Sequence, residues 1–416
     1  MNIVLFSTYL FGGAGANAKA IVSKLNTAGL NTSLLYRFGN KSEDFEICTD
    51  RWYSQEKVQK AMSAGMKNLF YSTTSENAVN WENLHAAIPK KPDLFILLWY
   101  SQFLTTEQIV RLYETYGVPI VVYMSDNAII SGGCHFTLGC NRYNRGCGTC
   151  PQLESVKPDD ISFKTLKQKK ELFNNIPLHI IASYTWQQKL VEESQIPYRS
   201  IQKQMIGFPL KQISTDKIHQ KFDSLKKFEV LWSASFISEY RKGLPIFLDA
   251  IQDLDKHYPE YAKRIRVKLI GLDATKIRKE LQFIEFQTVE FLASNEYEKE
   301  MRSAHFYINS TTDDAGPGTL MRAVHYGIIP ISFPTGVASD IITSESGFLL
   351  KTFSYLDLSK SIRDAMDLSM EKLEDMSLKN LEIASNLLDE EKTFKEFTQK
   401  LVGIFKNHTI LENTTS

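Results

Sequence analysis

The chain lacks an excess of either charge. Its 416 residues include 48 lysines and arginines and 48 aspartates and glutamates, so the formal net charge is zero. Domains that bind nucleic acid present a strongly basic surface, and this balance argues against a nucleic-acid partner. Hydrophobic residues at 43% and charged residues at 23% are typical of a globular protein.

Long hydrophobic runs are absent as well. No apolar stretch reaches the roughly 18 residues that a membrane span needs. Residues 1–6 read as a buried strand and not as a signal peptide, because basic residues and a small-residue cleavage site are lacking. We therefore expect a cytoplasmic protein and leave peripheral association with the inner membrane open. The basic, partly apolar helix at 164–170 is interpreted as a solvated face.

Cysteine is scarce, and four of the five cysteines lie within seventeen positions: Cys134, Cys140, Cys147 and Cys150. The C-x2-C pair at the end of this run can hold one tetrahedral ion, and the other two thiolates can complete it. Two short disulfides, or thiols that only line a loop, are the alternatives. A reducing cytoplasm favours structural zinc. His135 is either a fifth candidate ligand or a pocket wall.

The length predicts two domains, because one hydrophobic core rarely serves more than about 250–300 residues. Nearly continuous apolar strands alternate with amphipathic helices, a pattern typical of parallel strands buried on both faces. The predicted class is α/β, with two doubly wound, Rossmann-like domains. Predicted strands are Ile3–Ser7, Thr32–Tyr36, Leu94–Trp99, Ile120–Met124, Ile180–Ala182, Phe228–Ala234, Val267–Ile270, Ala304–Ile308 and Ile328–Phe333.

The predicted domain limits follow from where this pattern breaks and restarts. Residues 1–205 form an N-terminal domain that includes the cysteine-rich loop 132–153. Residues 206–385 form a second domain, reached through a Gly-Phe-Pro break and a polar stretch that ends at Phe222. A helix at 386–406 has apolar residues at helical spacing and is expected to return to the first domain. Residues 407–416 are expected to form a frayed polar tail.

Three loops that follow predicted strands carry candidate binding residues, because ligands of doubly wound sheets bind at the carboxyl ends of the strands. The first is Gly12-Gly13-Ala14, whose small residues would let backbone amides approach an anion. Its match to a dinucleotide fingerprint is weak, since four residues separate it from the strand and Tyr36-Arg37 supplies no acidic residue. We favour a looser phosphate or substrate loop.

The other two loops lie in the second half of the chain. Arg241 and Lys242 precede a helix and could bind a diphosphate, although a solvated turn would look the same. Asp313 and Asp314 lead into Gly316-Pro317-Gly318-Thr319, which opens another helix. Its amides could meet phosphate oxygens and a carboxylate could hold sugar hydroxyls, while a simple helix N-cap is the alternative.

Together these segments resemble glycosyltransferases of the GT-B fold, in the group-one (family four) class, over about residues 1 to 400. The likeness is strongest to a bacterial polysaccharide-biosynthesis subgroup with a Gly-Gly-Cys-His segment followed by further cysteines. The matching residues are Asp126, Gly132-Gly133-Cys134-His135, Cys140, Cys147, Cys150-Pro151-Gln152-Leu153, Gly12-Gly13-Ala14, Arg241-Lys242-Gly243, Asp313-Asp314-Ala315-Gly316-Pro317, Gly327, Pro330 and Gly336-Val337-Ala338.

The resemblance implies two domains facing across a cleft and retaining transfer of a sugar from a nucleotide-diphosphate donor to a glycan or lipid-linked glycan. It assigns catalytic positions to Asp126, on the acceptor side, and to Asp314. It implies that catalysis needs no cofactor or divalent ion, because cations and helix dipoles stabilise the leaving diphosphate. The donor-binding positions that it implies are Gly12, Gly13, Ala14, Arg241, Lys242, Gly316, Pro317, Gly318, Thr319 and Arg322.

Three positions depart from the family pattern. Arg322 stands where relatives have the second of two glutamates, and Ser125 and Leu98 stand where relatives often have histidine. Two alternative functions therefore stay open. One is a nucleotide-sugar epimerase of the same build, and the other is a non-catalytic glycan- or nucleotide-binding partner of an active transferase.

Overall fold

The computed structural model describes residues 1–40, 46–48, 79–89, 91–207 and 213–415. The chain divides into two compact units, each built around its own parallel sheet. Unit 1 comprises Met1–Gln204 together with Phe394–Ser416, and unit 2 comprises Met205–Thr393.

The described residues of unit 1 form a seven-stranded parallel sheet in the order β3-β2-β1-β4-β5-β6-β7. The strand order reverses direction beside β1, as in doubly wound folds. Its strands are β1 Asn2–Tyr9, β2 Asn31–Phe38, β3 Glu46–Cys48, β4 Leu94–Trp99, β5 Ile120–Tyr123, β6 Leu178–Ala182 and β7 Ser200–Lys203. Its helices before the long C-terminal one are α1 Gly12–Thr27, α2 Trp81–Ala87, α3 Thr106–Tyr116, α4 Ile161–Phe173 and α5 Thr185–Glu193.

The central strands of unit 1 are buried at nearly every position, because helices cover both faces of the sheet. β5 and β6 have no exposed residue at all, which explains why their apolar runs predicted them well. The edge strand β7 is only half-buried, and its sequence Ser-Ile-Gln-Lys lacks an apolar run. The two edge strands β3 and β7 were therefore not predicted.

The last helix, α14, runs over Glu390–Thr415, and from Phe394 onward it belongs to unit 1. Phe397 packs against Tyr123 with 5.3 Å between ring centroids, and His408 Nε2 lies 2.9 Å from the carbonyl oxygen of Gly117. Residues 407–415 continue this helix, where the sequence analysis expects a frayed tail, and the His408 contact holds the start of that stretch on unit 1. None of the helices in the described residues combines the length and apolarity that a membrane span requires.

The described residues of unit 2 form a six-stranded parallel sheet in the order β10-β9-β8-β11-β12-β13. Its strands are β8 Phe228–Phe236, β9 Ile265–Leu272, β10 Glu285–Val289, β11 Phe306–Asn309, β12 Ile329–Ser332 and β13 Phe348–Leu349. Its helices are α6 Thr215–Asp223, α7 Leu244–His257, α8 Pro259–Ala262, α9 Ser294–Ser303, α10 Gly318–His325, α11 Ala338–Ile341, α12 Tyr355–Met366 and α13 Met370–Leu387. The prediction of two doubly wound α/β domains is confirmed.

The stretch before β8 differs from its prediction as a polar crossing. Residues Thr215–Asp223 form helix α6, in which Ile218 and Phe222 are buried in the unit 2 core. These two apolar residues lie four positions apart, which is enough to anchor one face of a short helix. Residues 208–212, which include most of the predicted Gly-Phe-Pro break, lie outside the described residues.

Candidate functional site

The turn that follows β8 carries Arg241 and Lys242 on a single 3-10 turn, Tyr240–Lys242, directly before α7. Gly243 ends the turn with φ +69°, and a Cβ atom there would lie 1.9 Å from the carbonyl oxygen of Ser310. The Ser310 hydroxyl donates to the carbonyl oxygens of Lys242 and Gly243 at 3.1 and 3.0 Å, and it accepts from Trp232 Nε1 at 2.8 Å. Only glycine fits this closely packed turn.

Both cations of the turn converge on Asp314. Arg241 Nη1 lies 2.6 Å and Lys242 Nζ 2.5 Å from Asp314 Oδ2, and Arg241 Nη2 lies 2.6 Å from Glu239 Oε2. Burial alone would raise the pKa of Asp314, but Lys242 and Arg241 hold that pKa well below its usual range. The structure thus brings three predicted residues into one ionised cluster, with Glu239 as a member that the sequence analysis missed.

The second carboxylate oxygen of Asp314 reaches the loop before α10. Asp314 Oδ1 accepts from the backbone amide of Gly316 at 2.9 Å. Pro317 precedes α10, which starts at Gly318 without a side-chain cap, so the first amides of the helix are left for another acceptor. The Thr319 hydroxyl hydrogen-bonds Tyr307, a buried residue of β11. The predicted loop 316–319 therefore lies beside Asp314.

Arg322 lies one turn further along α10 and is half-buried. Its charge acts on Tyr297, Tyr326 and Glu298, so this side chain belongs to the tyrosine-lined side of the helix. The Tyr297 hydroxyl lies 2.7 Å from Ser233 Oγ, and burial raises the pKa of Tyr297 to about 12. Tyr297 lies outside the loops that the sequence analysis considered.

One Asp-x-Asp triplet, a pattern that can bind divalent ions, occurs at Asp253–Asp255 within α7. Asp255 accepts from the amides of residues 282–284 at 2.7 to 2.9 Å, and Asp253 accepts from Ser359 Oγ at 2.7 Å. Both carboxylates are therefore used to hold the fold together.

In unit 1, Asp126 follows β5 and pairs with a histidine from the cysteine-rich segment. Asp126 Oδ2 lies 2.5 Å from His135 Nδ1, and Asp126 Oδ1 accepts from the amide of Ala128 at 2.9 Å. The His135 ring stacks on Trp99 at 4.6 Å between centroids. Ser125 donates to the carbonyl oxygen of Leu98. The site thus contains an imidazole, although it comes from neither of the positions where relatives often carry one.

Lys169 of α4 supports the backbone that follows Asp126. Its Nζ donates to the carbonyl oxygens of Ala128 and Ser131 at 2.6 and 2.9 Å, and the residue is fully buried. Burial lowers the pKa of Lys169 to about 8. The interpretation of residues 164–170 as a solvated face is therefore wrong at Lys169. The spacing of residues in the sequence could have predicted this burial, because Lys169 falls on the same helix face as buried Leu166 and Phe173.

Four aromatic side chains gather where β1, β2 and β4 end. Tyr9 stacks on Phe38 at 5.5 Å, contacts Phe11 at 5.1 Å and lies 6.4 Å from Trp99, all measured between ring centroids. Phe11 is 60% exposed, which leaves much of its face open to a ligand. We call Tyr9, Phe11, Phe38 and Trp99 the aromatic group. The sequence analysis did not single them out, because they come from three separate strand ends.

The glycine loop forms the first turn of α1, because the helix begins at Gly12. Gly12 has φ +66°, and a Cβ atom at Gly12 or Gly13 would meet no atom within 4 Å. At Gly15, by contrast, a Cβ atom would lie 2.2 Å from the carbonyl carbon of Leu10. Gly15 is thus needed for close packing of the turn against Leu10. Gly12, Gly13 and Ala14 form the part of the turn that is open to solvent.

The four clustered cysteines line one cavity and are free thiols. Cys134 and Cys150 are buried and hydrogen-bonded through their sulfur atoms. His135 turns away from them, because its Nδ1 contacts Asp126. Within the described ranges, no group of three or more His, Cys, Asp or Glu side chains already has the arrangement of a metal site.

No protein-family model matches the chain. A curated relative, the WcaC protein of Escherichia coli (strain K12), is 25% identical over 189 residues, which are 42% of this chain and 46% of that protein. The match therefore spans about half the length of the relative. Its name assigns WcaC to glycosyl transfer in colanic acid biosynthesis.

Solved structures match nearly the whole chain. Sucrose-phosphate synthase from Thermosynechococcus elongatus has a TM-score of 0.67 at 13% identity, covering 98% of this chain and 99% of that one. Anabaena HepE, in complex with UDP and glucose, has a TM-score of 0.61 at 14% identity, covering 97% and 100%. The UDP-forming trehalose-phosphate synthase of Burkholderia vietnamiensis has a TM-score of 0.63 at 10% identity, covering 97% and 99%. These likenesses show the fold and confirm the predicted GT-B architecture.

Proposed function

We propose that the protein is a retaining glycosyltransferase that moves a hexosyl group from a nucleotide-diphosphate donor to a glycan or lipid-linked glycan. The observation that carries this proposal is the convergence of Arg241 and Lys242 on Asp314 beside the uncapped start of α10. Two cations and a helix N-terminus at the carboxyl ends of parallel strands suit a diphosphate. Solved structures of the same fold hold UDP or UDP-glucose.

The cluster suits binding of the donor because its charged side chains are already held in position before a ligand binds. Trp232, Ser310 and Gly243 fix the turn that carries Arg241 and Lys242, so little side-chain freedom is lost when phosphate oxygens bind. Binding would exchange part of the Asp314 contact for phosphate oxygens, and the amides of Gly318 and Thr319 would supply further donors.

The same cluster suits the chemical step. Transfer breaks the bond between the anomeric carbon of the sugar and a diphosphate oxygen, and the electron pair stays with the diphosphate. The same carbon forms a bond to the acceptor hydroxyl oxygen, whose proton passes to the diphosphate. Negative charge therefore grows next to Arg241 and Lys242, where fixed cations in a partly buried site stabilise it most. This supports catalysis without a divalent ion, and the Asp253–Asp255 triplet is already engaged within the fold.

Unit 1 supplies the groups that we assign to the acceptor. Asp126 and His135 form a close polar pair beside Trp99, and the aromatic group offers flat apolar faces. Binding sites for small ligands combine such apolar walls with a few convergent polar groups. The presence of His135 weakens the alternative of a non-catalytic partner, which rested partly on the missing histidines at positions 125 and 98.

The biological setting that we propose is synthesis of a bacterial surface polysaccharide, in the cytoplasm and peripherally at the inner membrane. It is supported by the WcaC match, whose name refers to colanic acid biosynthesis. The side chains that line the binding pockets determine which base, sugar and linkage the enzyme uses.

The test is a panel of UDP-, GDP-, ADP- and dTDP-sugars, screened by thermal shift and then measured by calorimetry on the wild type and Lys242→Ala. We expect one nucleotide class to bind, and we expect Lys242→Ala to weaken its affinity by about 2–4 kcal/mol through loss of a charge-assisted contact. Lys276→Ala is the matched control, since Lys276 is an exposed cation of the same unit. It should leave the affinity unchanged.

Unchanged affinity in Lys242→Ala would contradict the donor assignment. Turnover experiments then separate the alternatives that the sequence left open. Consumption of the donor to give its epimer, without any acceptor, would identify an epimerase. Tight donor binding with neither transfer nor hydrolysis, across a broad set of acceptors, would identify a non-catalytic partner.

A further inference from the structure

The segment between β5 and α4 brings four thiols together with very little regular structure. Short 3-10 turns at Ala128–Ile130, Arg142–Arg145 and Pro151–Leu153 are its helical elements. The shared cavity is lined by Cys134, Cys140, Cys147 and Cys150, with Arg142 and Tyr143 beside them. The four cysteines lie within seventeen positions of the sequence, and the fold brings them to one cavity.

The backbone that presents the C-x2-C pair is held in an unusual conformation. Gly146, Cys147, Gly148 and Thr149 all have positive φ, at 110°, 60°, 86° and 45°. Two of these residues are not glycine, and such a conformation costs energy that the surroundings must offset. A Cβ atom at Gly148 would lie 2.1 Å from the carbonyl oxygen of Pro158, so the turn is tightly packed. This winding directs Cys147 and Cys150 into the same cavity.

Backbone amides point at the sulfur atoms. Gln152 and Leu153 donate to the sulfur of Cys150, and Gly132 donates to the sulfur of Cys147. Asp160 in turn accepts from the Cys150 amide at 2.8 Å and fixes the residue from its other side. Amide donors of this kind orient the sulfur atoms that they contact, as outer hydrogen-bond partners do around metal ligands.

We propose that these four cysteines bind one structural Zn²⁺ ion as thiolates. A tetrahedral set of four sulfur ligands is typical of zinc or of an iron–sulfur cluster, and structural zinc sites with four cysteine ligands use C-x2-C pairs. All four thiols line the same cavity. Arg142 at the cavity and buried Lys169, whose charge acts on Cys134 and Cys147, offset part of the negative charge.

The site has a consequence for the neighbouring pair. Cys134 directly precedes His135, whose ring contacts Asp126 and stacks on Trp99. Fixing Cys134 to a metal would hold His135 against Asp126, which makes the cysteines positioning residues for that pair. The metal site itself does not depend on the proposed transfer activity, and its test needs no substrate.

The test starts with the full chain, purified under reducing conditions without added metal, and measures bound metals by mass spectrometry. We expect about one zinc per chain, and Cys147→Ser should lose most of it. Cys48→Ser is the matched control, because Cys48 lies in β3, outside the cluster, and should keep full zinc content. Replacement of zinc by cobalt in the wild type should give the visible absorption of a tetrahedral thiolate site.

Other outcomes would overturn the proposal. These are less than about half an equivalent of zinc, equal zinc in Cys147→Ser and wild type, iron with its visible absorption, or disulfides that remove four titratable thiols. If Cys147→Ser fails to fold, a chelator titration of the wild type replaces it. In that titration, release of about one zinc should accompany exposure of four thiols to a thiol reagent, and exposure without zinc release contradicts the site.

Discussion

The two units place a glycine at the same point of their topology, where β1 or β8 leads into the helix that follows it. Gly12 has φ +66° and Gly243 has φ +69°. Around Gly12 the space is open, whereas at Gly243 a side chain would collide with the backbone of Ser310. The turn before Gly243 carries two cations, while the turn before Gly12 carries exposed Phe11.

This difference shows that a glycine with positive φ can belong either to a crowded turn or to an open one. In unit 2 the crowded turn fixes Arg241 and Lys242 against Asp314, which suits a ligand whose charge must be met by groups already in place. In unit 1 the open turn leaves Gly12 and Gly13 free of steric neighbours, beside an aromatic group. Three pairs of variants, one pair for each effect described next, test the energetic roles of these residues. The Asp314 and Lys169 variants are also compared with the wild type across pH.

The largest effect is expected for Gly243→Ala compared with Gly12→Ala. Both substitutions place a Cβ atom at positive φ, which costs about 1–2 kcal/mol. Only Gly243→Ala must also displace the backbone of Ser310, and such overpacking adds about 3 kcal/mol. We therefore expect the free energy of unfolding to fall by about 4–5 kcal/mol for Gly243→Ala and by about 1–2 kcal/mol for Gly12→Ala.

Urea unfolding followed by hydrogen-exchange mass spectrometry measures the free energy of unfolding of both variants, because it reports each unit separately. Equal losses in the two variants would show that the crowding at Gly243 is relieved at little cost. The contrast between the two turns would then have no energetic basis.

The next effect is expected for Asp314→Asn, which leaves Arg241 and Lys242 facing an uncharged amide. Breaking such a partly buried ion cluster should cost about 3 kcal/mol of unfolding free energy near neutral pH. Asp273→Asn is the control, since the Asp273–Lys276 pair is largely exposed and should contribute less than about 1 kcal/mol.

The cost of Asp314→Asn should also depend on pH. The folded protein holds the pKa of Asp314 below that of the unfolded chain, so the ionised carboxylate stabilises the fold above about pH 4, and this contribution is lost as the pH falls toward the depressed value. The gap between wild type and variant should therefore be constant from about pH 7 to 4 and narrow below it. A gap that stays constant down to about pH 3 would contradict the ionised cluster.

The smallest effect is expected for Lys169→Met in unit 1. This variant leaves the carbonyl oxygens of Ala128 and Ser131 without their buried donor and should cost about 2 kcal/mol. Lys167→Met, on the exposed face of the same helix, should cost less than about 0.5 kcal/mol.

A pH series sharpens the Lys169 test. Because the pKa of Lys169 is about 8 in the fold, the unfolded chain binds more protons between pH 8 and about 10.4, and the stability of the wild type relative to Lys169→Met should rise there. Chemical unfolding at several pH values across this range measures the difference. A flat difference would mean that Lys169 titrates as in the unfolded chain.

The sequence predicted the parts of the structure that follow from local pattern. Apolar runs such as those of β5 and β6 revealed the central strands, because strands buried on both faces carry mostly apolar residues. The edge strands β7 and β13 were missed, since they are short and partly exposed and carry no such run. The cationic turn and the acidic loop were found separately, since each follows a strand.

The local sequence pattern could not show which of these residues come into contact in the fold. Glu239 and Asp314 lie 75 positions apart and share Arg241. His135 reaches Asp126 from the cysteine-rich segment, which is why a histidine missing from positions 125 and 98 did not mean an imidazole missing from the site. Lys169 looked like part of a solvated basic face, yet its helix turns it inward.

The order of apolar and polar residues by itself determined two doubly wound sheets and the positions of the loops at their strand ends, because strands buried on both faces are recognisable as apolar runs in the sequence. Tertiary structure alone decided that Arg241, Lys242 and Asp314 form one ionised cluster and that four cysteines share one cavity. These contacts depend on how loops from different parts of the chain pack together. Electrostatic interactions depend on distances of a few ångströms in space, and the spacing of residues along the sequence does not specify those distances.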